Sequence, residues 1–264
     1  MKSEEYLLSC CGRAKEEGDY GAYLRAKSEL ADFYREAFRF EEALTAAEDV
    51  LMLLEELNLE ESESFALALI RAAAICREAG REEEALRDFT RALRIFETVP
   101  KPDDGHLASL EREIGFLLQR QGEPEKAAAC FTRALSILEK RPDAKGERAE
   151  VKTDLALLAL QGKEPQRAQA LLEEAIAEFS EAHRQEDVRY SAALAGLGEA
   201  LFSQGRLEKA LEAYGRALVE IESRFGKNES YALLCGNCAA ICRQLGETKR
   251  ADGYERAAAL REKD

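Results

Sequence analysis

The sequence has no tryptophan, only 5 prolines and only 2 histidines in 264 residues. With so few helix breakers, and with Ala, Leu, Glu and Arg dominating, the chain is expected to be helical almost throughout. No apolar run approaches ~20 residues, so no segment is expected to span a membrane. The first residues set Glu4 and Glu5 beside Lys2, and their apolar stretch is too short for a secretory signal. Seven cysteines, an odd number, without such a signal point to reduced thiols and a cytoplasmic location. Acidic residues outnumber basic ones 52 to 38, a net charge of −14, which argues against nucleic acid or an anionic membrane as partner. A phosphate-cradling glycine loop, a nucleophile elbow and a metal-ligand motif are all missing. The chain therefore reads as non-enzymatic and without a cofactor.

What the chain does have is a repeated phrase: AFRFEEAL, AGREEEAL, QGEPEKAA, QGKEPQRAQA, QGRLEKAL, LGETKRAD. The turn residues are Phe38, Gly80, Gly122, Gly162, Gly205 and Gly246, spaced by 42, 42, 40, 43 and 41 residues. A period of that size marks an array of supersecondary units, each burying its apolar face against its neighbours. In the second copy Leu69, Ala72, Ala73 and Cys76 recur at helical spacing before Gly80, and Ala85, Phe89, Ala92, Leu93 and Phe96 do so after it. Each unit is thus expected to be an antiparallel helix hairpin, its glycine ending the first helix. Pro124 and Pro165 fall at first positions of second helices, where the missing N–H costs little. Five, nine and twelve residues after the turn come Ala85, Phe89 and Ala92, then Ala127, Phe131 and Ala134, then Ala210, Tyr214 and Ala217. The fourth copy needs one extra turn residue to give Ala168, Leu172 and Ala175.

These residues resemble the tetratricopeptide repeat (TPR), in the long variant of about 42 residues found in kinesin-light-chain-like proteins. The stretch Arg216 to Asp252 is most similar to that subtype. The resemblance implies an all-α fold, a right-handed α-α superhelical solenoid of about six hairpins plus an N-terminal extra helix. The expected boundaries are a capping helix at 2–17 and repeats at about 22–58, 62–98, 104–140, 146–182, 187–224 and 228–262, one solenoid over 1–264. The last helix, Lys249 to Lys263, is expected to close the array.

Asp154 departs from the pattern, because its place is apolar in the other copies (Leu30, Ala72, Ile114, Leu197, Cys238). Either the fourth first-helix is rotated, or Asp154 is a buried acceptor with a partner. Cys235, Cys238 and Cys242 share one helix face. They take the places of Leu69, Ala72 and Cys76 in the second copy, so core packing is the leading reading over redox pairing or metal binding. Cys10 and Cys11 are expected to be the exposed thiols. His106 and His183 read as solvated or capping residues rather than bases.

In TPR proteins the first helices line a concave groove that takes peptides. The resemblance puts the groove 13, 10, 6 and 3 residues before each turn residue, a spacing that shares one helical face. Of those 24 positions, six are basic and two acidic. The expected ligand is an acidic or C-terminal peptide segment with apolar anchors. Arg77, Arg112 and Lys152 would meet carboxylates, Leu67, Ile70, Phe116 and Phe202 would hold side chains, and Arg243 lies on the same face. The lysine–asparagine clamp of chaperone-binding TPR proteins is not reproduced, since Phe116 and Ala156 follow Arg112 and Lys152. Function is therefore read as a protein-interaction adaptor. The alternatives are a self-associating assembly subunit, so a homo-oligomer, and a peptide-sensing regulator.

Overall fold

The computed structural model describes residues 3–100, 103–184 and 187–259. Those residues form 13 helices and no strand. The first seven are α1 (Glu4–Glu17), α2 (Tyr20–Glu36), α3 (Phe40–Glu56), α4 (Glu63–Glu78), α5 (Glu82–Thr98), α6 (Asp104–Arg120) and α7 (Pro124–Leu138). The remainder are α8 (Lys145–Gln161), α9 (Pro165–Glu181), α10 (Val188–Ser203), α11 (Leu207–Phe225), α12 (Glu229–Gln244) and α13 (Thr248–Ala259). The extra N-terminal helix is α1. Residue 2 of the expected capping helix and residues 260–263 of the expected last helix lie outside the described residues.

The chain divides into two compact units, Met1–Cys130 and Phe131–Asp264. Each is built of stacked hairpins. In the N-terminal unit α2 packs on α3 and α4 on α5, with α3 against α4 joining the pairs. In the C-terminal unit the pairs are α8 with α9, α10 with α11 and α12 with α13. Each unit has its own apolar core, drawn from the inward faces of its helices.

Helix starts follow two rules. Most first helices open on a side-chain cap, such as Asp19 accepting from the Ala22 N–H at 2.8 Å or Asn228 accepting from the Tyr231 N–H at 3.0 Å. A cap of this kind contributes about 1 kcal/mol. The second helices α3, α5, α9 and α11 have no side-chain cap. They start instead from a tight turn in which a left-handed residue ends the first helix. The N–H of the next residue bonds back to the carbonyl five residues earlier, as Arg81 does to Cys76 at 2.8 Å and Glu164 to Ala159 at 2.8 Å.

The left-handed residues of the six turns between first and second helices are Phe38, Gly80, Gly122, Lys163, Gly205 and Gly246, with φ between 58° and 78°. The fourth is Lys163. Gly162 is the last residue of its helix end, at φ −75°. This corrects the expected register by one residue. The spacings become 42, 42, 41, 42 and 41, and Ala168, Leu172 and Ala175 fall five, nine and twelve residues after the turn without any insertion. The core position of α8 is then Leu155, which is buried like its equivalents Leu30, Ala72, Ile114, Leu197 and Cys238. Asp154 moves to the neighbouring position. It is nonetheless buried, and its Oδ1 accepts from the Arg189 guanidinium at 2.5 Å. The partnered acceptor is the correct alternative, and no rotation of the helix is needed.

Small residues stand seven before every turn: Ala31, Ala73, Gly115, Ala156, Gly198 and Ala239, all buried. Gly198 shows why. A Cβ there would sit 2.7 Å from the Tyr214 ring of the paired helix, so this close approach is unstrained only with hydrogen at that place. Cys235, Cys238 and Cys242 are fully buried core residues, and burial pushes the Cys238 thiol up to about 12. Cys11, expected to be exposed, is buried against the N-terminal core, while Cys10 is half-buried. The correction is physical: the side of α1 that covers α2 is the side carrying Leu7, Cys11 and Ala14.

Candidate functional site

In the N-terminal unit, α2, α3 and α4 bound a cavity of about 530 Å³. Arg25 and Ser28 line it from α2, Leu54 from α3, and Leu67 and Arg71 from α4. Leu67 is 41% exposed, a large apolar side chain offered to solvent. Ile70 is half-buried and packs on the core. Ion pairs tie consecutive first helices together across this face. Arg71 pairs with Asp32, and Arg35 reaches Glu78 at 2.9 Å. Arg77 lies 3.4 Å from Glu113, and the Arg112 guanidinium stands over the Phe116 ring at 5.3 Å. Arg25 has no carboxylate partner among the described residues.

In the C-terminal unit, α10, α11 and α12 bound a cavity of about 510 Å³ at the same register. Its walls are apolar, with Val188 and Ala195 from α10, Ile221 and Phe225 from α11 and Leu233 from α12. Leu233 stands where Leu67 does, 13 residues before its turn, and is 66% exposed. Its polar lining groups include Glu199, Tyr214 and Asn237. Burial pushes the Tyr214 hydroxyl up to about 12, and the Glu199 carboxylate adds to this. A hydrogen bond from the Asn237 side chain works the other way.

The remaining expected site residues lie as follows. Phe202 is exposed at the end of α10, and Arg243 reaches Glu255 of α13 at 2.5 Å. Lys152 is off the face, because the one-residue register shift turns it inward. Its ammonium donates to Glu174 at 2.6 Å and to Glu178 at 3.1 Å. Burial disfavours the charged ammonium, but the two carboxylates outweigh it and the net shift is upward. Lys27 makes the equivalent pair with Asp49 in the first hairpin, so both lysines clamp a first helix to its second. By the corrected register the four face positions of α8 are Glu150, Thr153, Leu157 and Leu160, of which Thr153 is fully buried. Ala192, Ala195, Glu199 and Leu233 are among the expected face positions. Val188, Phe225 and Asn237 are not, and only the helix packing brings them to the same cavity. His106 stacks on Phe96 at 5.1 Å, and His183 takes a left-handed φ of 54° at the end of α9.

The sequence of the tetratricopeptide repeat family matches at residues 106–181, under a third of the chain. Its fold matches far more widely. BtubC (BKLC) from P. vanneervenii superposes with a TM-score of 0.71 at 19% identity, over 83% of this chain and 89% of that one. A Podosopora anserina kinesin light chain structure with nearly identical TPR-like repeats gives 0.63 at 20% identity, over 76% and 95%. The chain carries the tetratricopeptide-repeat fold. It is also similar to a Pyrococcus horikoshii signal transduction ATPase (STAND) that has a tetratricopeptide repeat sensor, with a TM-score of 0.76 at 20% identity. That match covers 97% of this chain and 38% of the ATPase. No curated protein matches the chain in sequence. The fold is a helical-repeat scaffold, and no helix among the described residues is long and apolar enough to cross a membrane.

Proposed function

We propose that the chain is a non-enzymatic adaptor that captures a peptide segment of a partner protein on the faces of its first helices. The observation that carries this is the recurrence of a cavity at one register in both units. In each, a leucine 13 residues before the turn, Leu67 or Leu233, is left exposed at its edge. Monomeric folds cover most of their large apolar side chains, and exposed ones grouped at a cavity suit a ligand.

In the N-terminal unit the ligand is an acidic or C-terminal segment. Leu67, Ile70 and Phe116 supply apolar anchoring, and Arg25, Arg77 and Arg112 supply positive charge. The electrostatic share is small and salt-sensitive, because Arg77 already holds Glu113 and an incoming carboxylate must compete with it. Arg243 in the C-terminal unit is in the same position with Glu255, where Phe202 adds an exposed aromatic. Lys152 contributes to the hairpin rather than to the ligand. The seven free thiols suit a reducing, cytoplasmic setting. The Pyrococcus horikoshii ATPase of similar fold has a tetratricopeptide repeat sensor, and a peptide-sensing regulator is a variant of this reading.

Selection of a random-peptide phage library on the immobilised chain tests the proposal. Peptides with aliphatic or aromatic anchors are expected to enrich, and their synthetic versions should lose binding to a Leu67→Glu/Ile70→Glu or a Leu233→Glu variant of unchanged helicity. Enrichment no better than on a blocked surface would refute it. A mass that rises with concentration and falls in those same variants would instead favour self-association through these faces.

A further inference from the structure

The two equivalent cavities differ in their charges: Arg25, Glu29 and Arg71 of the first are matched by Ala192, Gly196 and Asn237 in the second. Asp32 and Glu199 both stand six residues before their turn, and the facing position, nine before the following turn, holds Arg71 in one unit and Asn237 in the other. Asp32 is neutralised by Arg71. Asn237 is engaged with the Tyr214 hydroxyl, and Glu199 forms no ion pair among the described residues. The cation that the fold supplies in the N-terminal unit is missing, while the carboxylate remains exposed at a cavity walled by Val188, Ile221, Phe225 and Leu233.

We propose that this C-terminal cavity receives a lysine or arginine side chain of a partner peptide, flanked by apolar residues, with Glu199 as its counter-charge. The inference rests on the peptide-capture reading above and gives this unit a preference opposite in sign to that of the N-terminal face. A long cationic side chain suits the site because its aliphatic stem lies along apolar walls while its head reaches the carboxylate. A neutral or acidic segment would leave Glu199 facing an apolar ligand or a like charge, which disfavours it.

The test uses the full chain, isotopically labelled, titrated with three peptides: acetyl-Leu-Lys-Leu-amide, the norleucine analogue and the glutamate analogue. Binding is read from the amide resonances of Ala192, Ala195 and Leu233. The lysine peptide is expected to bind about five-fold more tightly than the norleucine peptide at low salt, with the advantage gone at high salt. Glu199→Gln should abolish the preference. Asn237→Arg should abolish it too, by restoring in this unit the pairing that Arg71 makes with Asp32. Equal binding of the lysine and norleucine peptides would overturn the cation preference and leave peptide capture standing. Silence of all three resonances with every peptide would overturn the site, and phage-selected peptides that still bind elsewhere would show that the adaptor reading survives it.

Discussion

Replacing Gly198 with alanine adds one methyl group at the closest approach of α10 and α11. The new Cβ would lie 2.7 Å from Cδ1 and 2.8 Å from Cε1 and Cγ of Tyr214. Carbon atoms rest comfortably at ~3.5–4.0 Å, so the ring or the helix must retreat by about 1 Å. The ring has little room, being 3% exposed. Overpacking of this kind costs about 1–3 kcal/mol, and the better helix propensity of alanine offsets about 1 kcal/mol of that. The expected net loss is about 1 kcal/mol. Gly236, also helical, is the control. A Cβ there meets nothing within 4 Å, so Gly236→Ala should gain up to about 1 kcal/mol. The same chemical change in two helices of one unit should thus separate by about 2 kcal/mol, read from urea midpoints at unchanged slope. A Gly198→Ala protein as stable as Gly236→Ala would refute the close-approach reasoning.

Lys163→Gly should stabilise the chain by about 1 kcal/mol in the same assay, because an exposed lysine at φ 59° carries a left-handed penalty that glycine does not. Arg189→Met should destabilise it by about 2–4 kcal/mol, since the Asp154 carboxylate would stay buried without that guanidinium. A loss below ~0.5 kcal/mol would show the pair to be a surface-like contact. Burial raises the Asp88 carboxyl above its usual range, with Arg87 working against it. The folded state therefore holds that proton more tightly than the unfolded one, and stability attributable to Asp88 is present at low pH and lost as pH rises through the raised value. Asp88→Asn should then be the more stable protein at pH 7, with its advantage vanishing in acid. A pH-independent difference would contradict the assignment.

Hairpins, turns and the cysteine core are legible in the sequence because each is written in local periodicity. The frame fails in the fourth repeat for a local reason as well. Glycine is the best residue for a left-handed turn but not an obligatory one, and here Lys163 takes the conformation while Gly162 ends the helix. The spacing of Ala168, Leu172 and Ala175, counted backwards, carries the right answer, and following the glycine instead puts Lys152 on the wrong face. The Asp154–Arg189 pair spans 35 residues and has no periodic signal. The missing cation opposite Glu199 becomes visible only when α10 and α12 are set side by side and compared with α2 and α4.

Ligands are proposed to bind the faces of the first helices. Amide hydrogen exchange of the full chain, with and without a phage-selected peptide, tests it most directly. New protection is expected in α2, α4 and α6 or in α10 and α12, with the exposed sides of α3, α5 and α9 unchanged. Protection confined to those second helices, at a peptide concentration that saturates the chain, would contradict it.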